Sequence, residues 1–363
     1  MSKSPIRVGI VGVHPEKGWA AVAHIPALRL LPDDYEITAL SHHDSILAKA
    51  AAEKFGIRTA VASTEELVER ADVDLVVIAV KVPRHLELVT LAINAGKSVL
   101  CEWPLGANLE DAIKMDELAR AKGVHTAIGL QTRAAPAINF VRDLIKQGYI
   151  GEVRSSTLIG SGIIWGEAME EGYKYTLDPR NGAGMLRVSF GHTIDGVLYA
   201  LDSRFASVCG TLATVRKATR IVENGEDAPM HVPDQIGVSG LLENGVFLNA
   251  HFRGGLSRAT NFHWEINGSS GDLVVTTPVA YIGVGGFKVQ SAQGEEALHD
   301  IEIPSSYGAD RFEDGIPQSI ALAYERLASD IRSDTQFSPT FADAVDLHQL
   351  LAKIERSSSE QHG

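Results

Sequence analysis

The sequence predicts a doubly wound α/β domain followed by an α+β domain with an open, mainly antiparallel sheet. In the first 125 residues, short apolar runs alternate with amphipathic segments, a pattern typical of a parallel sheet covered by helices. After about residue 150 the runs become shorter and are separated by Asn-Gly, Gly-Ser and Gly-Gly, which are turn signals. The length of 363 residues suits two domains. We place them at 1–125 and 126–363.

The strands of the first domain are predicted from apolar runs rich in β-branched residues, which are typical of strands buried on both faces. They are IRVGIVGV (6–13), YEITAL (35–40), VDLVVIAV (73–80), SVLCE (98–102) and HTAIGL (125–130). Helix-like segments lie between them, and three of these end at Gly56, Gly96 and Gly123. Glycine favours the left-handed conformation that commonly ends a helix.

The second domain is predicted to be a sheet of hairpins. Segments such as LLENGVFL alternate apolar and polar residues around a turn dipeptide. One long helix at 183–202 interrupts the strands, and a final helix at 342–357 closes the domain. An open sheet leaves one broad face to be covered, so we expect a homo-oligomer formed through this sheet.

Composition and charge exclude several classes of protein. The net charge of −13 argues against binding nucleic acid or anionic membranes, since both require clustered cations. No apolar run approaches the ~18 residues of a membrane span, and the first residues do not form a secretory signal. Cys101 and Cys209 have no metal-ligand spacing, and we expect both to pack as small apolar residues. The chain is therefore expected in the cytoplasm, without a metal.

The turn after the first strand predicts a nucleotide-binding loop. Gly9 and Gly12 suit the end of the strand and a tight turn, and Gly18, next to Trp19, suits a close approach of the backbone to a pyrophosphate. The spacing departs from G-x-G-x-x-G because His14 replaces the second glycine and the loop is longer. The position on strand one of an alternating α/β run favours cofactor binding over a plain turn.

The segment after the second strand bears on the type of dinucleotide. An NAD-binding protein usually has an acidic residue there for the ribose hydroxyls, but this chain has Ser41, followed by His42, His43 and Asp44. A serine near potential cations favours the 2′-phosphate of NADP. Two exposed loop histidines without a ligand are an equal alternative, so the cofactor is predicted as NAD or NADP.

Several motifs together resemble the glucose–fructose oxidoreductase / inositol dehydrogenase / MocA family. They are VGIVG…HIPAL, AAAEKFGI, AGKSVLCEWPLG, IGLQTR…IKQGYIGEV, GHTIDGV and FADAVDLHQLLAKIERS. The resemblance implies a Rossmann domain, a bound NAD(P) and a sugar or polyol substrate. It also implies further cofactor-binding candidates at Lys81, His85, Glu102 and Gln131. KGWAAVAHIPAL, VKVPRH and EWPL resemble a branch that contains the fungal galactose-regulon repressor, a nicotinamide-nucleotide sensor.

The catalytic residues implied by the resemblance are only partly present. Dehydrogenases of the family carry E-K-P, in which the lysine orients the substrate hydroxyl, but here Trp103 stands between Glu102 and Pro104. The family's histidine base corresponds to His192, and Val188 replaces the aspartate expected four residues before it. An indole offers one N–H and a large apolar face. Trp103 could therefore form a stacking platform or simply fill the site.

The helix that carries His192 is predicted to have two distinct faces. At about 100° per residue, one stripe contains Leu186, Phe190, Ile194, Val197 and Leu201, and the other contains Met185, Val188, His192, Asp195 and Tyr199. We expect the first stripe to be buried against the sheet, and the family resemblance implies that the second faces the cofactor cleft. Asp195, one turn after His192, could hold the imidazole tautomer or only support the structure.

Three functional hypotheses remain. The first is an NAD(P)-dependent oxidoreductase acting on a carbohydrate or polyol, with His192 as base, Asp195 as its partner and Trp103 shaping the site. The second is a cofactor-holding transcriptional regulator that senses redox state or a sugar. The third is a lyase or glycosidase that oxidises its substrate transiently. His192 and Asp195 favour an enzyme, whereas the missing lysine and aspartate favour the regulator.

Overall fold

The computed structural model describes residues 4–282, 286–313 and 315–360. The chain divides into two compact units, one formed by Met1–Gln131 with Ile316–His348 and the other by Thr132–Gly315 with Gln349–Gly363. The first unit thus includes a C-terminal segment that the sequence prediction places in the second domain. The domain limits 1–125 and 126–363 stay a prediction.

The first unit contains a six-stranded parallel sheet. Its strands are β1 (Ile6–Val11), β2 (Tyr35–Ser41), β3 (Thr59–Val61), β4 (Leu75–Ile78), β5 (Ser98–Glu102) and β6 (Thr126–Gly129). They lie in the order β3-β2-β1-β4-β5-β6, the arrangement of a Rossmann fold. The predicted doubly wound sheet is confirmed. The sequence prediction missed β3 because this strand has only three, half-buried residues.

The helices that the structure describes around this sheet are α1 (Ile25–Arg29), α2 (Ser45–Lys54), α3 (Thr64–Val68), α4 (His85–Asn94) and α5 (Leu109–Lys122). Three of them, α2, α3 and α5, begin at polar caps. Asp44, Ser63 and Asn108 accept hydrogen bonds from backbone N–H groups that the first turns of α2, α3 and α5 leave unpaired. Gly123 ends α5 with φ +63°. A π-helical turn, Ala20–His24, immediately precedes α1.

The second unit is built on an eight-stranded sheet. The unit contains the helices α6 (Pro136–Lys146) and α7 (Gly191–Leu201). The strands of the large sheet are β7 (Val153–Ser161), β9 (Phe205–Ala213), β12 (Gln235–Leu242), β13 (Phe247–Arg253), β14 (Phe262–Gly268), β15 (Gly271–Thr277), β16 (Lys288–Gln293) and β17 (His299–Ile301). The short strands β8 (Ala168–Met169), β10 (Ala218–Ile221) and β11 (Asp227–Pro229) form a separate three-stranded sheet. The large sheet has the order β17-β16-β15-β14-β7-β13-β12-β9. Among the strand pairs of the described residues, only β7–β13 is parallel in this sheet, so the mainly antiparallel sheet is confirmed.

Two C-terminal helices complete the described chain: α8 (Ile316–Ser333) and α9 (Phe341–Glu360). The sequence prediction included α9 and missed α8. The apolar spacing of Ile320, Tyr324 and Leu327, all buried, is the helical signal that identifies α8. Among the described residues, no helix is long and apolar enough to cross a membrane.

The helix that carries His192 is not regular. Leu186–Phe190 forms a π turn before α7 begins at Gly191. The expected burial of the apolar stripe is confirmed, but Met185, His192 and Asp195 on the other face are buried too. The π turn changes the angular relation between residues before and after it, so a fixed 100° step misjudges which side chains share a face.

Candidate functional site

The turn after β1 has the backbone that a nucleotide-binding loop requires. Gly12 has φ +89°, and a methyl group on its Cα would lie 2.4 Å from Cγ1 of Val80. A methyl group at Gly9 would lie 2.7 Å from Cδ2 of Leu67. Glycine is therefore needed at Gly12 for conformation and at both positions for close packing. The backbone N–H groups of Gly12 and Val13 donate to the Ser41 carbonyl, at 2.9 and 3.1 Å.

The end of this loop leads into the first helix. Gly18 has φ +92°, and a methyl group there would meet no described atom within 4 Å. The Gly18 carbonyl accepts from the N–H groups of Ala21 and Val22. The indole N–H of Trp19 is buried and has no hydrogen-bond partner among the residues described. An open glycine approach and a spare donor at a helix start suit the phosphates of a dinucleotide.

Three histidines meet at the ends of β1 and β2. The ring centroids of His14 and His42 lie 5.9 Å apart, and those of His42 and His43 lie 4.4 Å apart in a stacked arrangement. Ser41 itself is buried within the strand end. Burial and then the neighbouring His43 are the main causes that lower the pKa of His42.

The Glu102 carboxylate belongs to a polar network that the sequence analysis did not identify. Its Oε1 lies 3.1 Å from Nε2 of His24, and Nδ1 of His24 lies 2.8 Å from the Tyr324 hydroxyl. The hydroxyl of Tyr35 donates to the Tyr324 carbonyl at 2.7 Å. A methyl group at Gly129 would lie 2.4 Å from Glu102 Oε1. The network fixes the carboxylate over the end of β6, and His24 in the HIPAL motif was the available signal.

Trp103 is only 4% exposed and is joined to Pro104 by a cis peptide bond. Its ring centroid lies 4.7 Å from that of His348 on α9. Nε2 of His348 in turn accepts from the Gly106 N–H at 3.4 Å. His348 thus supports the Trp103 loop from the C-terminal segment of the same unit, a contact between residues 245 positions apart in sequence that no local pattern predicts.

His85 also supports this loop. It is buried, with Nδ1 2.9 Å from the Pro104 carbonyl and Nε2 3.0 Å from the Val80 carbonyl. Burial is the main cause that lowers the pKa of His85. These contacts join the ends of β4 and β5, and a cofactor contact for His85 stays a prediction, as it does for exposed Lys81 and buried Gln131.

The two cysteines differ from the expectation that both would be buried. Cys101 is buried, but Cys209 is exposed. Burial and the nearby Glu102 raise the pKa of the Cys101 thiol. Among the described residues there is no cluster of histidine, cysteine and carboxylate groups that could hold a metal ion.

In the second unit, His192 lies on α7 directly after the π turn. Its side chain is 5% exposed, and its ring centroid lies 6.1 Å from that of Tyr281. A buried imidazole can transfer a proton without competition from bulk water. π turns occur frequently at functional sites. The sequence prediction did not identify Tyr281 because it lies 89 residues further along the chain.

Asp195, one turn after His192, forms a buried ion pair with Arg133. Nε of Arg133 donates to Oδ2 at 3.0 Å, and its second terminal nitrogen donates to Oδ1 at 2.7 Å. Asp195 is 4% exposed, and the Arg133 side chain is 21% exposed. The guanidinium also lies 5.7 Å from the ring centroid of Tyr199. This ion pair fixes α7 against the segment before α6. It therefore positions the helix that carries His192.

The loop geometry leads to a prediction for Gly12. Gly12→Ala is expected to weaken dinucleotide binding at least about tenfold, because the added methyl group meets Val80 and the positive φ disfavours alanine. Calorimetric titration measures this affinity. Gly123→Ala is the matched control, since it has φ +63° and open space but lies at the end of α5. Unchanged binding by Gly12→Ala would contradict the assignment of the loop.

Two family models match consecutive parts of the chain. Residues 6–130 match the model described as "Oxidoreductase family, NAD-binding Rossmann fold". Residues 136–277 match "Gal80p, C-terminal domain". The first unit therefore contains an NAD-binding Rossmann fold, in agreement with the geometry of its glycine loop.

Individual relatives include both regulators and dehydrogenases. The galactose/lactose metabolism regulatory protein GAL80 of Saccharomyces cerevisiae is 29% identical over 98% of this chain and 93% of its own length. The dehydrogenase aclE of Aspergillus oryzae is 34% identical over 55% of this chain and 56% of its own. The crystal structure of a super-repressor mutant of Gal80p from S. cerevisiae has a TM-score of 0.90 at 27% identity, covering 99% and 97% of the two chains.

Proposed function

Because the chain belongs to the glucose–fructose oxidoreductase / inositol dehydrogenase / MocA family, we propose that it is an NAD(P)-dependent oxidoreductase acting on a carbohydrate or polyol-like small molecule. The observation that carries the proposal is a buried His192 after a π turn, on a helix positioned by the Arg133–Asp195 pair. A chain that only held a cofactor would need no such supported imidazole.

The proposal gives the chain's own residues separate roles. A bound nicotinamide ring would supply the acceptor for a hydride from the carbon that carries the substrate hydroxyl. Gly12, Gly18 and Trp19 suit the phosphates of that cofactor. The imidazole of His192 accepts the hydroxyl proton, since a neutral ring nitrogen is an effective base near neutral pH.

Trp103 changes how this chemistry is assisted. A lysine at this position would supply a cation to the substrate hydroxyl, whereas an indole supplies neither charge nor a transferable proton. Its buried ring beside His348 gives a rigid apolar wall that suits the C–H face of a sugar ring. The proposal therefore assigns acid–base work to His192 and places Trp103 as a shaping residue.

The second candidate is a regulator that binds NAD(P) without net turnover. It is supported by Trp103 and Val188 at the positions of the family's lysine and aspartate, and by the Gal80p C-terminal domain match over 136–277. In this alternative the ligand-dependent state of the protein, and not a product, would be the output. We place the enzyme first because His192 is present and the Arg133–Asp195 pair supports its helix.

The variant Trp103→Lys, which places an amine at the position of the family's lysine, distinguishes the two candidate functions. The regulator predicts that Trp103→Lys gains polyol oxidation that the wild type lacks, with dinucleotide affinity unchanged. The enzyme predicts that the wild type already turns over and that Trp103→Phe, the matched variant without an amine, stays within about tenfold of it, since general acid–base assistance from His192 is retained. Circular dichroism checks the fold of both variants, because position 103 is buried.

We further propose that the chain works in the cytoplasm as a homo-oligomer formed through the large sheet. One face of β9, β12, β13 and β7 has a continuous patch without any lysine, arginine or acidic residue: Ser207, Cys209, Thr211, Gly237, Ser239, Leu241, Phe247, Asn249, His251 and Thr157. Two copies carrying −13 each repel one another in general. An uncharged patch is the surface on which identical copies can meet.

Phe247→Glu is expected to shift the protein towards the mass of a single 39.0 kDa chain, because a buried carboxylate would face its own copy across a two-fold axis. Sedimentation equilibrium measures the mass. Leu298→Glu, at a similarly exposed leucine outside the patch, is the control and should leave the mass unchanged. A wild-type protein that sediments at 39.0 kDa would contradict this proposal.

A further inference from the structure

The His14, His42 and His43 rings form a cluster that the proposed reaction does not use. The cluster exists because Gly12 and Val13 donate to the Ser41 carbonyl, which brings the loop after β1 to the end of β2. In a Rossmann fold this end of β2 lies where the adenosine ribose binds. The residues there therefore meet either the 2′-hydroxyl of NAD or the 2′-phosphate of NADP.

The hydrogen bonds of two rings fix which nitrogen carries the proton. Nδ1 of His14 accepts from the Glu16 N–H at 3.0 Å, and Nδ1 of His42 accepts from the Asp44 N–H at 3.1 Å. An imidazole nitrogen that accepts carries no proton, so each neutral ring keeps its proton on Nε2. Both rings therefore present donors away from the backbone.

The carboxylate of Asp44, the acidic residue of this segment, already caps the helix α2. Oδ1 of Asp44 accepts from the N–H groups of Ile46 and Leu47, at 2.8 and 3.2 Å, and these bonds lower the Asp44 pKa. The Ser41 position, where an NAD-binding acid is expected, holds a buried hydroxyl. On the neighbouring strand, β3 ends at Val61 opposite Ser41, and the next ionisable residue is Glu65.

We infer that the His14–His42–His43 cluster is a 2′-phosphate site that makes NADP the preferred dinucleotide. The inference rests on the proposed function, since it requires the Rossmann unit to hold a dinucleotide. Two ring donors, and a third imidazole stacked on His42, match the acceptor oxygens of a phosphate. A ribose hydroxyl would instead require a hydrogen-bond acceptor. The Asp44 Oδ1 already accepts hydrogen bonds from the helix backbone.

The histidine cluster should also make the preference for NADP over NAD depend on pH. The charged groups near His42 are His14, His43 and Asp44, with Glu16 and Lys17 on the loop after β1. Burial and the neighbouring His43 hold the pKa of the His42 imidazole below its ordinary value, and a protonated imidazole binds a phosphate more strongly than a neutral one. NADP affinity should therefore rise as the pH falls below about 6.5, the ordinary value for an imidazole, whereas NAD affinity should change little.

Calorimetric titration of the whole chain with NADP+ and NAD+, at about pH 5.5 and about pH 8, tests the inference without requiring turnover. We expect NADP+ to bind at least about tenfold tighter than NAD+ at about pH 5.5, which corresponds to one charge-assisted contact, and we expect the ratio to fall at about pH 8. His42→Asp should reverse the preference, because a carboxylate repels the phosphate and accepts from a ribose hydroxyl.

His125→Gln is the matched control, since His125 precedes β6 at the opposite edge of the sheet; it should leave the ratio unchanged. Equal or tighter binding of NAD+ by the wild type, or an unaltered ratio in folded His42→Asp, would overturn this inference and leave the proposed function standing. Binding of neither dinucleotide would overturn both.

Discussion

Replacing His192 by asparagine is expected to lower kcat/KM for the carbohydrate or polyol substrate about 10²–10⁴-fold, the usual contribution of a positioned general base. Asparagine has a similar size and keeps hydrogen-bonding capacity, but it cannot accept a proton near neutral pH. Dinucleotide affinity should be unchanged because the substitution leaves the residues of the glycine loop as they are. Steady-state kinetics and calorimetry on the same preparation measure both quantities.

The control for this result is His263→Asn, which makes the same change on β14 of the same unit, at a partly exposed ring beside Glu265. It should leave kcat/KM unchanged. If His192→Asn retained wild-type turnover in a folded protein, His192 would not be the base. A loss confined to dinucleotide affinity would also contradict the assigned role.

The second large effect concerns stability. Arg133→Ala is expected to lower the free energy of unfolding by about 3–5 kcal/mol, because it leaves the buried Asp195 carboxylate without its partner. Asp195→Ala should cost somewhat less, since the Arg133 side chain is 21% exposed and keeps the ring of Tyr199 nearby. Urea denaturation followed by circular dichroism measures both changes.

A double-mutant cycle measures the coupling energy between Arg133 and Asp195. Removing both side chains should cost clearly less than the two single changes added together, because no uncompensated charge remains. Glu87→Ala, which breaks the exposed Arg84–Glu87 pair, is the control and should change stability by less than about 1 kcal/mol. Simple additivity of Arg133→Ala and Asp195→Ala would show that the ion pair does not act as a unit.

The fold was largely predictable because its signals are local. Continuous apolar runs identified β1, β2, β4, β5 and β6, and turn dipeptides such as Asn244-Gly245 identified the β12–β13 hairpin. The sequence analysis missed two kinds of element. The short strands β3, β8, β10, β11 and β17 have too few residues to show a pattern. The helices α6 and α8 adjoin the region where hairpin signals dominate. The return of α8 to the first unit depends on buried contacts such as Tyr35–Tyr324, which have no signature in either segment.

The candidate site was predictable only where one short segment determines it. Gly12 and Gly18 followed from the turn after a strand, and His192 from its motif. The supports around them come from distant segments: His24 and Tyr324 hold Glu102, and His348 packs on Trp103. The π turn at Leu186–Phe190 breaks the regular helical step, so a fixed step could not relate Met185 and Val188 to the residues of α7. No residue type in that segment predicts a π turn.

The oxidoreductase function requires that a hydride is transferred from a substrate to the cofactor in this protein. A single-turnover reaction with about stoichiometric NAD(P)+ and a panel of polyols and aldoses, followed by nicotinamide absorbance, tests this directly. We predict reduced cofactor with at least one member of the panel, and none above background when His192 is replaced by asparagine. A protein that binds NAD(P)+ but yields no reduced cofactor with any member would contradict the oxidoreductase and favour the regulator.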